Sequence, residues 1–319
     1  MLDIVKTAAG KSFLPLLAWI FPSALAILAL WFITVPMIRA SGYPVPNAID
    51  KLTGAEAVSW LTGLSIALGV VLYVMSTPLY RLLEGYSWPK FLREWAVNRQ
   101  KRKYEALRNT IDRGIPGQEW ELGLALERLA RYPSDIKQIA PTGFANALRS
   151  FETYGVNRFK LDSQIMWTEL WSSAPEQTRA EYEGAKAFVD LFVATFYLSL
   201  AFTILSLVII VLNAKHALLD AIAVVIPLAI AAYSYRMANV ASTYWSATVK
   251  ALVNIGRKPL AQSLGLDLPA TLAEEREMWE SVVGYIFYGP TGGSGYGRDL
   301  DKFRAKPKEA ETDQKPADE

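Results

Sequence analysis

The sequence predicts an all-α, polytopic membrane protein with four transmembrane helices and a cytoplasmic helical bundle. Hydrophobic residues make up 52% of its 319 residues and charged residues only 20%, and the apolar residues are concentrated in four long runs. The segments between these runs place apolar residues at helical spacing and show no convincing strand pattern or internal repeat. Soluble core helices do not account for four such runs, so a membrane-embedded helical fold is the better explanation.

The four apolar runs are long enough to cross the hydrocarbon core of a bilayer, which requires roughly 20 apolar residues in a helix. The first run is too long for a cleaved signal peptide, and no small-residue cleavage site follows it. The fourth has Asp220 near its start and Pro227 inside. The predicted spans are residues 12–38, 57–80, 191–214 and 217–235.

Lysine and arginine residues near the span ends predict the orientation, because they are enriched in cytoplasmic loops. The loop between the first two spans holds only Arg39 and Lys51, and the loop between the last two holds only Lys215. Basic residues are more frequent before the first span and after the second and fourth. Both termini and residues 81–190 are therefore predicted to lie in the cytoplasm, with the spans in the cell inner (plasma) membrane.

This orientation divides the chain into five predicted segments. Residues 1–80 form a cytoplasmic leader and the first two spans. Residues 81–190 form a cytoplasmic helical region, residues 191–236 form spans three and four, and residues 237–290 form C-terminal cytoplasmic helices. Residues 291–319 are expected to be a glycine-rich loop and a charged, disordered tail.

Helices are expected at residues 84–112 and 119–132, separated by a break at Gly114. From Pro175 to the end of the third span only Gly184 interrupts the helical pattern, so one long helix is expected to lead from the cytoplasm into the membrane. After the fourth span the helix is expected to continue through residues 239–255.

Thr271 and Glu274 have the spacing of a capping box, in which a hydroxyl and a carboxylate satisfy free backbone donors at a helix start. A further helix is therefore expected to begin there.

The sequence contains few motifs that indicate a catalytic, cofactor-binding or metal-binding site. The chain has no cysteine and one histidine, which excludes disulfides, thiolate metal sites and a cysteine nucleophile. His216 and Asp220 lie one helical turn apart, but a structural zinc site requires four ligands. The loop at residues 290–298 lacks the Gly-Lys-Ser/Thr ending of a phosphate loop and is interpreted as a linker. We expect no catalytic, cofactor-binding or metal-binding residue, and no enzyme.

Net charge argues against nucleic acid as a partner, because 33 basic and 31 acidic residues leave only +2. A local basic cluster does occur after the second span. It consists of Arg99, Lys101, Arg102 and Lys103. Its position next to the membrane favours contact with anionic lipid headgroups.

Two spans carry a polar face, which is the most informative feature of the apolar runs. Small and hydroxyl residues at 100° per residue fall within one narrow arc of each helix, and this pattern favours close helix packing in lipid. A water-lined path within an oligomer is the alternative. The residues are Thr62, Ser65, Gly69, Tyr73 and Ser76 on the second span, and Thr195, Ser199, Ser206 and Asn213 on the third.

Three stretches resemble a group of bacterial four-span integral membrane proteins. They are PLYRLLEGY from Pro78, PTGFANALR from Pro141 with the following Glu152-Thr-Tyr, and LPATLAEER from Leu268 with the following Trp279-Glu. The resemblance implies four spans and carries no functional residue to this chain. The topology also resembles that of bestrophin-type anion channels in layout alone, since the chain has neither their aromatic neck motif nor their acidic calcium clasp.

These observations lead to two functional hypotheses. The first is a homo-oligomeric inner-membrane protein that forms a pore or ion channel, with the lipid bilayer and its own copies as partners. The second is a membrane-anchored cytoplasmic interaction or signalling scaffold, or a defence effector without catalytic activity, that binds a cytoplasmic protein partner.

Overall fold

The computed structural model describes residues 14–40, 54–114, 119–213, 217–289 and 300–304, and all regular structure there is helical apart from one isolated bridge between Leu266 and Arg304. Several sequence predictions lie outside the described residues. These are the basic leader, the loop with Lys51, the segment with Lys215 and His216, the loop at 290–298, the tail from 305, and the side chains of Asn213 and Asp220.

The helices are numbered in chain order. They are α1 Leu14–Ala29, α2 Val35–Ala40, α3 Gly54–Val74, α4 Ser76–Glu84, α5 Lys90–Arg113, α6 Glu119–Leu129, α7 Gly143–Glu152, α8 Tyr154–Phe159, α9 Trp167–Ser173, α10 Glu176–Asn213, α11 Ala217–Ser263 and α12 Leu272–Tyr288. Short 3-10 turns occupy Ile136–Gln138 and Leu300–Phe303.

Four of these segments are long and apolar enough to cross a membrane, which confirms the predicted all-α fold class with four transmembrane helices. They are Leu14–Thr34, Gly54–Val74, Glu176–Val211 and Ala221–Ser263. The predicted long helix into the third span is confirmed, because α10 runs for 38 residues without a break. The fourth span likewise continues through residues 239–255, within the 47 residues of α11.

The first span is not one regular helix. A π-helical turn at Leu30–Thr34 separates α1 from α2, with the Val35 amide donating to the Leu30 carbonyl. Pro36 follows at once, and it has no amide hydrogen to continue an α-helical ladder. The proline therefore explains why the hydrogen-bond pattern changes at this point.

The second predicted span, 57–80, is in fact two helices. Helix α3 ends at Val74 and α4 begins at Ser76, after a break at Met75. Pro78 cannot donate to the carbonyl four residues earlier, which belongs to Val74. The break coincides with that missing hydrogen bond.

The helix expected at 84–112 also begins later, at Lys90. Gly85 takes a left-handed φ of 87° and ends α4, and Pro89 is the N-cap of α5. Glycine adopts that backbone conformation at little cost, so Gly85 is the natural point for α4 to stop.

The chain forms two compact units. The first comprises Met1–Glu152 and Glu176–Lys250, and the second comprises Thr153–Pro175 and Ala251–Glu319. The predicted division into five segments by side of the membrane stays a prediction.

In the first unit, α1 packs against both α3 and α10. Gly69 permits the α1–α3 contact, since a Cβ atom there would lie 2.7 Å from the Cα of Ile20.

The core of the second unit is a cluster around the fully buried Trp279 and Leu170. A partly buried ion pair lies beside it: Arg257 donates to both carboxylate oxygens of Glu275, at 2.7 and 2.6 Å. The Arg257 guanidinium also lies 4.2 Å from the centre of the Phe159 ring. The predicted helix start is confirmed, because Thr271 is the N-cap and its hydroxyl accepts from the Glu274 amide at 3.3 Å. The Glu274 carboxylate accepts from that hydroxyl at 2.7 Å.

We predict that Gly69→Ala destabilises the protein by about 1–3 kcal/mol, because the added methyl group meets the backbone of Ile20. Denaturant unfolding of the detergent-solubilised protein, followed by tryptophan fluorescence, measures the effect. Gly184→Ala in α10 is the matched control, since nothing lies within 4 Å of the added atom. Equal unfolding midpoints for the two variants would contradict the proposed close contact.

Candidate functional site

The polar face predicted on the second span is divided in two by the packing of α1. Ser65 and Gly69 are buried on the side that faces α1. Thr62 and Tyr73 are exposed in the single chain, and Ser76 is half-buried at the start of α4. One half of the face therefore serves packing within the chain, and the other half has no described neighbour covering it.

A row of small residues adjoins the exposed half of the polar face on α3, and it lies outside the arc that the sequence predicted. Ser59, Gly63 and Ala67 recur every four residues, and all three are exposed. An added Cβ at Gly63 would meet nothing within 4 Å. Small residues at this spacing let two helices approach closely in lipid. The signal was present in the sequence as a second arc on the same helix.

The polar face predicted on the third span lies against a cavity. Thr195, Ser199 and Ser206 line it from α10, and Thr34 lines it from the π-helical turn. The side chain of Asn213 lies outside the described residues. The structure thus brings three of the four predicted α10 residues together at one site.

The cavity is bordered by α1, the π-helical turn, α10 and α11, and its volume is about 350 Å³. Its walls are mostly aliphatic, and no charged side chain is among the residues that line it. Pro22 of α1 and Pro227 of α11 both border it. At least one hydroxyl on the wall is internally bonded, because Thr195 donates to the Leu191 carbonyl at 2.7 Å. Such a wall favours an apolar occupant over a hydrated ion.

A buried carboxylate, Asp190, lies directly before the predicted third span. Asp190 is fully buried, and it accepts hydrogen bonds from the Tyr80 hydroxyl and the Lys186 ammonium group, both at 2.7 Å. Aromatic rings surround this cluster, with Phe144 centred 5.5 Å from the Tyr80 ring and Trp245 6.4 Å from it. The sequence placed Asp190 only at a span boundary and gave no sign of its partner Tyr80.

The basic cluster predicted to contact lipid headgroups lies on α5. Arg99, Arg102 and Lys103 are exposed, and Lys101 is half-buried. The Arg99 guanidinium lies 5.7 Å from the ring centre of the exposed Trp95. Tryptophan and arginine together are typical of a membrane interface, so this geometry is compatible with the predicted lipid contact.

Two acidic side chains outside the spans form a titratable pair. Burial, together with the nearby Glu152 carboxylate, raises the pKa of Glu84 to about 7, while Arg149 and Arg81 oppose the shift. Burial also raises the pKa of Glu152. Both carboxyl groups bind protons more tightly in the folded chain than in the unfolded one.

Within the described part of the chain, no group of three or more His, Asp or Glu side chains could hold a metal ion. Comparison with protein-family models, with curated proteins and with solved structures finds no match.

We predict that Asp190→Ala lowers the free energy of unfolding by about 3 kcal/mol, because it leaves Lys186 and Tyr80 without their shared acceptor. The matched control is Glu127→Ala, since Glu127 pairs with Arg131 at the same spacing and the same 2.7 Å, but is 57% exposed. That change should cost no more than about 0.5 kcal/mol. Denaturant unfolding measures both, and equal losses would show that burial of Asp190 is not what matters.

The raised carboxyl pKa values predict a pH dependence of stability. The folded state binds more protons than the unfolded state between the ordinary glutamate pKa of 4.5 and the raised value of about 7. The stability contribution of Glu84 is therefore present below pH 4.5 and lost as pH rises towards 7.

Glu84→Gln should flatten the loss of stability over this range, as measured by thermal unfolding at a series of pH values. The exposed Glu127→Gln serves as the control and should leave the slope unchanged. A slope that Glu84→Gln does not alter would contradict the assignment.

Proposed function

We propose that the protein is an integral protein of the bacterial inner membrane that assembles from several copies of the chain into a pore. Both termini and residues 81–190 lie in the cytoplasm in this proposal. The observation that carries it is the exposed half of the polar face on α3. Exposed small residues on a span allow a helix of another copy to pack closely there. Exposed hydroxyl residues beside them can line a water-filled path.

Assembly is supported by the row Ser59, Gly63 and Ala67. A Cβ atom added at Gly63 would meet nothing within 4 Å in the single chain, which leaves space beside Gly63 for the α3 helix of another copy. In lipid, helices gain little from burying aliphatic side chains, because the surrounding tails are equally apolar. Close backbone packing at small residues is the main source of association.

A water-lined path is supported by Thr62 and Tyr73, which adjoin that row. The two residues are separated by about 16 Å along a straight helix, a large part of the hydrocarbon thickness. The charged residue of α3 is Glu56, in the first turn of the helix. A path with this lining would carry no charged ring at mid-membrane, so we expect weak discrimination between ions. The predicted layout, which resembles that of bestrophin-type anion channels, supports this proposal.

The native chain has no cysteine, so single cysteine variants report on one position each. In planar bilayers the protein should pass current, and a charged thiol reagent should remove most of that current from Thr62→Cys. Leu64→Cys is the control: Leu64 is also exposed on α3 but points about 160° away from Thr62, so the reagent should have no effect.

Gly63→Leu should also reduce the oligomer mass measured by light scattering in detergent, because leucine fills the space that a partner helix would use. Current that persists in Thr62→Cys after treatment would contradict the pore lining. An unchanged mass for Gly63→Leu would contradict the α3 interface.

One observation favours the scaffold hypothesis as a second candidate. Phe91 and Trp95 of α5 and Trp120 of α6 are 70%, 58% and 70% exposed, and none lies in a predicted span. Large aromatic side chains of this kind are frequent at protein interfaces. A chain that passes no current but binds a cytoplasmic protein, in a manner lost on Trp120→Ala, would favour this function over the pore.

A further inference from the structure

The cavity between α1, α10 and α11 has the chemistry and the length of a site for one hydrocarbon chain. Its lining extends from Pro22 to Thr34 on the first span, about 18 Å of helix, and from Thr195 to Ile209 on α10, about 21 Å. A volume of about 350 Å³ spread over that length makes a long, narrow space. A compact ligand would leave much of it empty.

We propose that this cavity holds one acyl chain of a phospholipid from the surrounding bilayer. The helices that border the cavity are three of the four that are apolar enough to cross a membrane, so hydrocarbon is the medium beside it. No charged group on the wall would repel an alkyl chain or require water. Engineered apolar cavities of about 150 Å³ already stay dry and bind benzene, and this one is more than twice as large.

Backbone irregularities keep the space open. Pro22 and Pro227 border the cavity from two helices, and each proline removes a backbone hydrogen bond from its own helix. The π-helical turn contributes Ile33 and Thr34, and such turns in helices often mark functional sites. Two of the three bordering helices, the first span and α11, therefore depart from regular geometry beside the cavity, which prevents straight, tight packing there.

Occupancy of this cavity goes beyond the proposed pore, since it concerns other residues and requires no conduction. The α3 residues Thr62, Gly63 and Tyr73 are not among those that line the cavity. Labelling at the cavity in a protein that passes no current would refute the pore and leave the lipid site intact. Current without labelling at the cavity would support the pore and refute the lipid site.

The full-length protein should be reconstituted into phosphatidylethanolamine vesicles that contain a small fraction of phospholipid with a diazirine in its acyl chain. After illumination, mass spectrometry of the peptides should place the label on residues that line the cavity. Ala223→Phe, which fills the cavity from α11, should reduce that labelling several-fold. Ala229→Phe is the matched control on the same helix, because Ala229 is exposed and does not line the cavity.

If phenylalanine disturbs folding, the smaller changes Ala223→Leu and Ala229→Leu replace it. Folding is checked by size-exclusion chromatography in detergent, where each variant should elute as the unchanged protein does. Labelling spread evenly over the lipid-facing helices, with no response to residue 223, would mean annular lipid only and overturn the proposal. Labelling of the cavity by a free diazirine fatty acid, with none from the phospholipid, would also overturn it.

Discussion

Backbone hydrogen bonding in an environment without water is the constraint on which the apolar part of this chain depends. An unpaired amide or carbonyl in hydrocarbon costs several kcal/mol, so each apolar run has to satisfy its own backbone and becomes a helix. The exceptions follow from proline. The π-helical turn at Leu30–Thr34 precedes Pro36, and the break at Met75 precedes Pro78 by three residues. Pro227 lies inside α11 without ending it, but it borders the cavity. Two of these positions, the π-helical turn and Pro227, are thus also positions beside the cavity.

The same constraint explains why a polar face in the sequence does not show whether it packs against another helix or stays exposed. Hydroxyl groups in these helices bond back to their own helix: Thr62 donates to the Val58 carbonyl at 2.8 Å and Ser65 to the Leu61 carbonyl at 2.6 Å. Neither needs a neighbouring helix to be satisfied, yet one is exposed and the other is buried. Thr62 and Ser65 differ because α1 packs on the side of α3 that holds Ser65, and this packing belongs to the tertiary structure. The split of this face between packing and exposure could therefore be seen only in the structure.

The sequence predicted the spans, the length of α10 and the helix start at Thr271 because each depends on a window of neighbouring residues. The break after Val74 and the late start of α5 also have signals in the sequence, Pro78 and Gly85, but each is a single residue inside a longer apolar or helical pattern. The Asp190 cluster could not be predicted from a window of neighbouring residues. Tyr80 is 110 positions from Asp190, and no periodicity links them. The cavity depends on three helices whose mutual packing a single sequence does not determine.

Buried carboxylates bring distant segments of each compact unit together. Asp190 joins Tyr80 to α10 in the first unit, and Glu275 joins Arg257 to Trp279 in the second, where the indole donates at 3.2 Å. Such pairs add little net stability over apolar packing, since desolvation offsets their attraction, but they make alternative arrangements costly. A second bond, from the Tyr197 hydroxyl to the Leu79 carbonyl at 2.7 Å, also joins α4 to α10. The helix that follows the exposed face of α3 is therefore fastened to the helix that lines the cavity, through Asp190 and Tyr197.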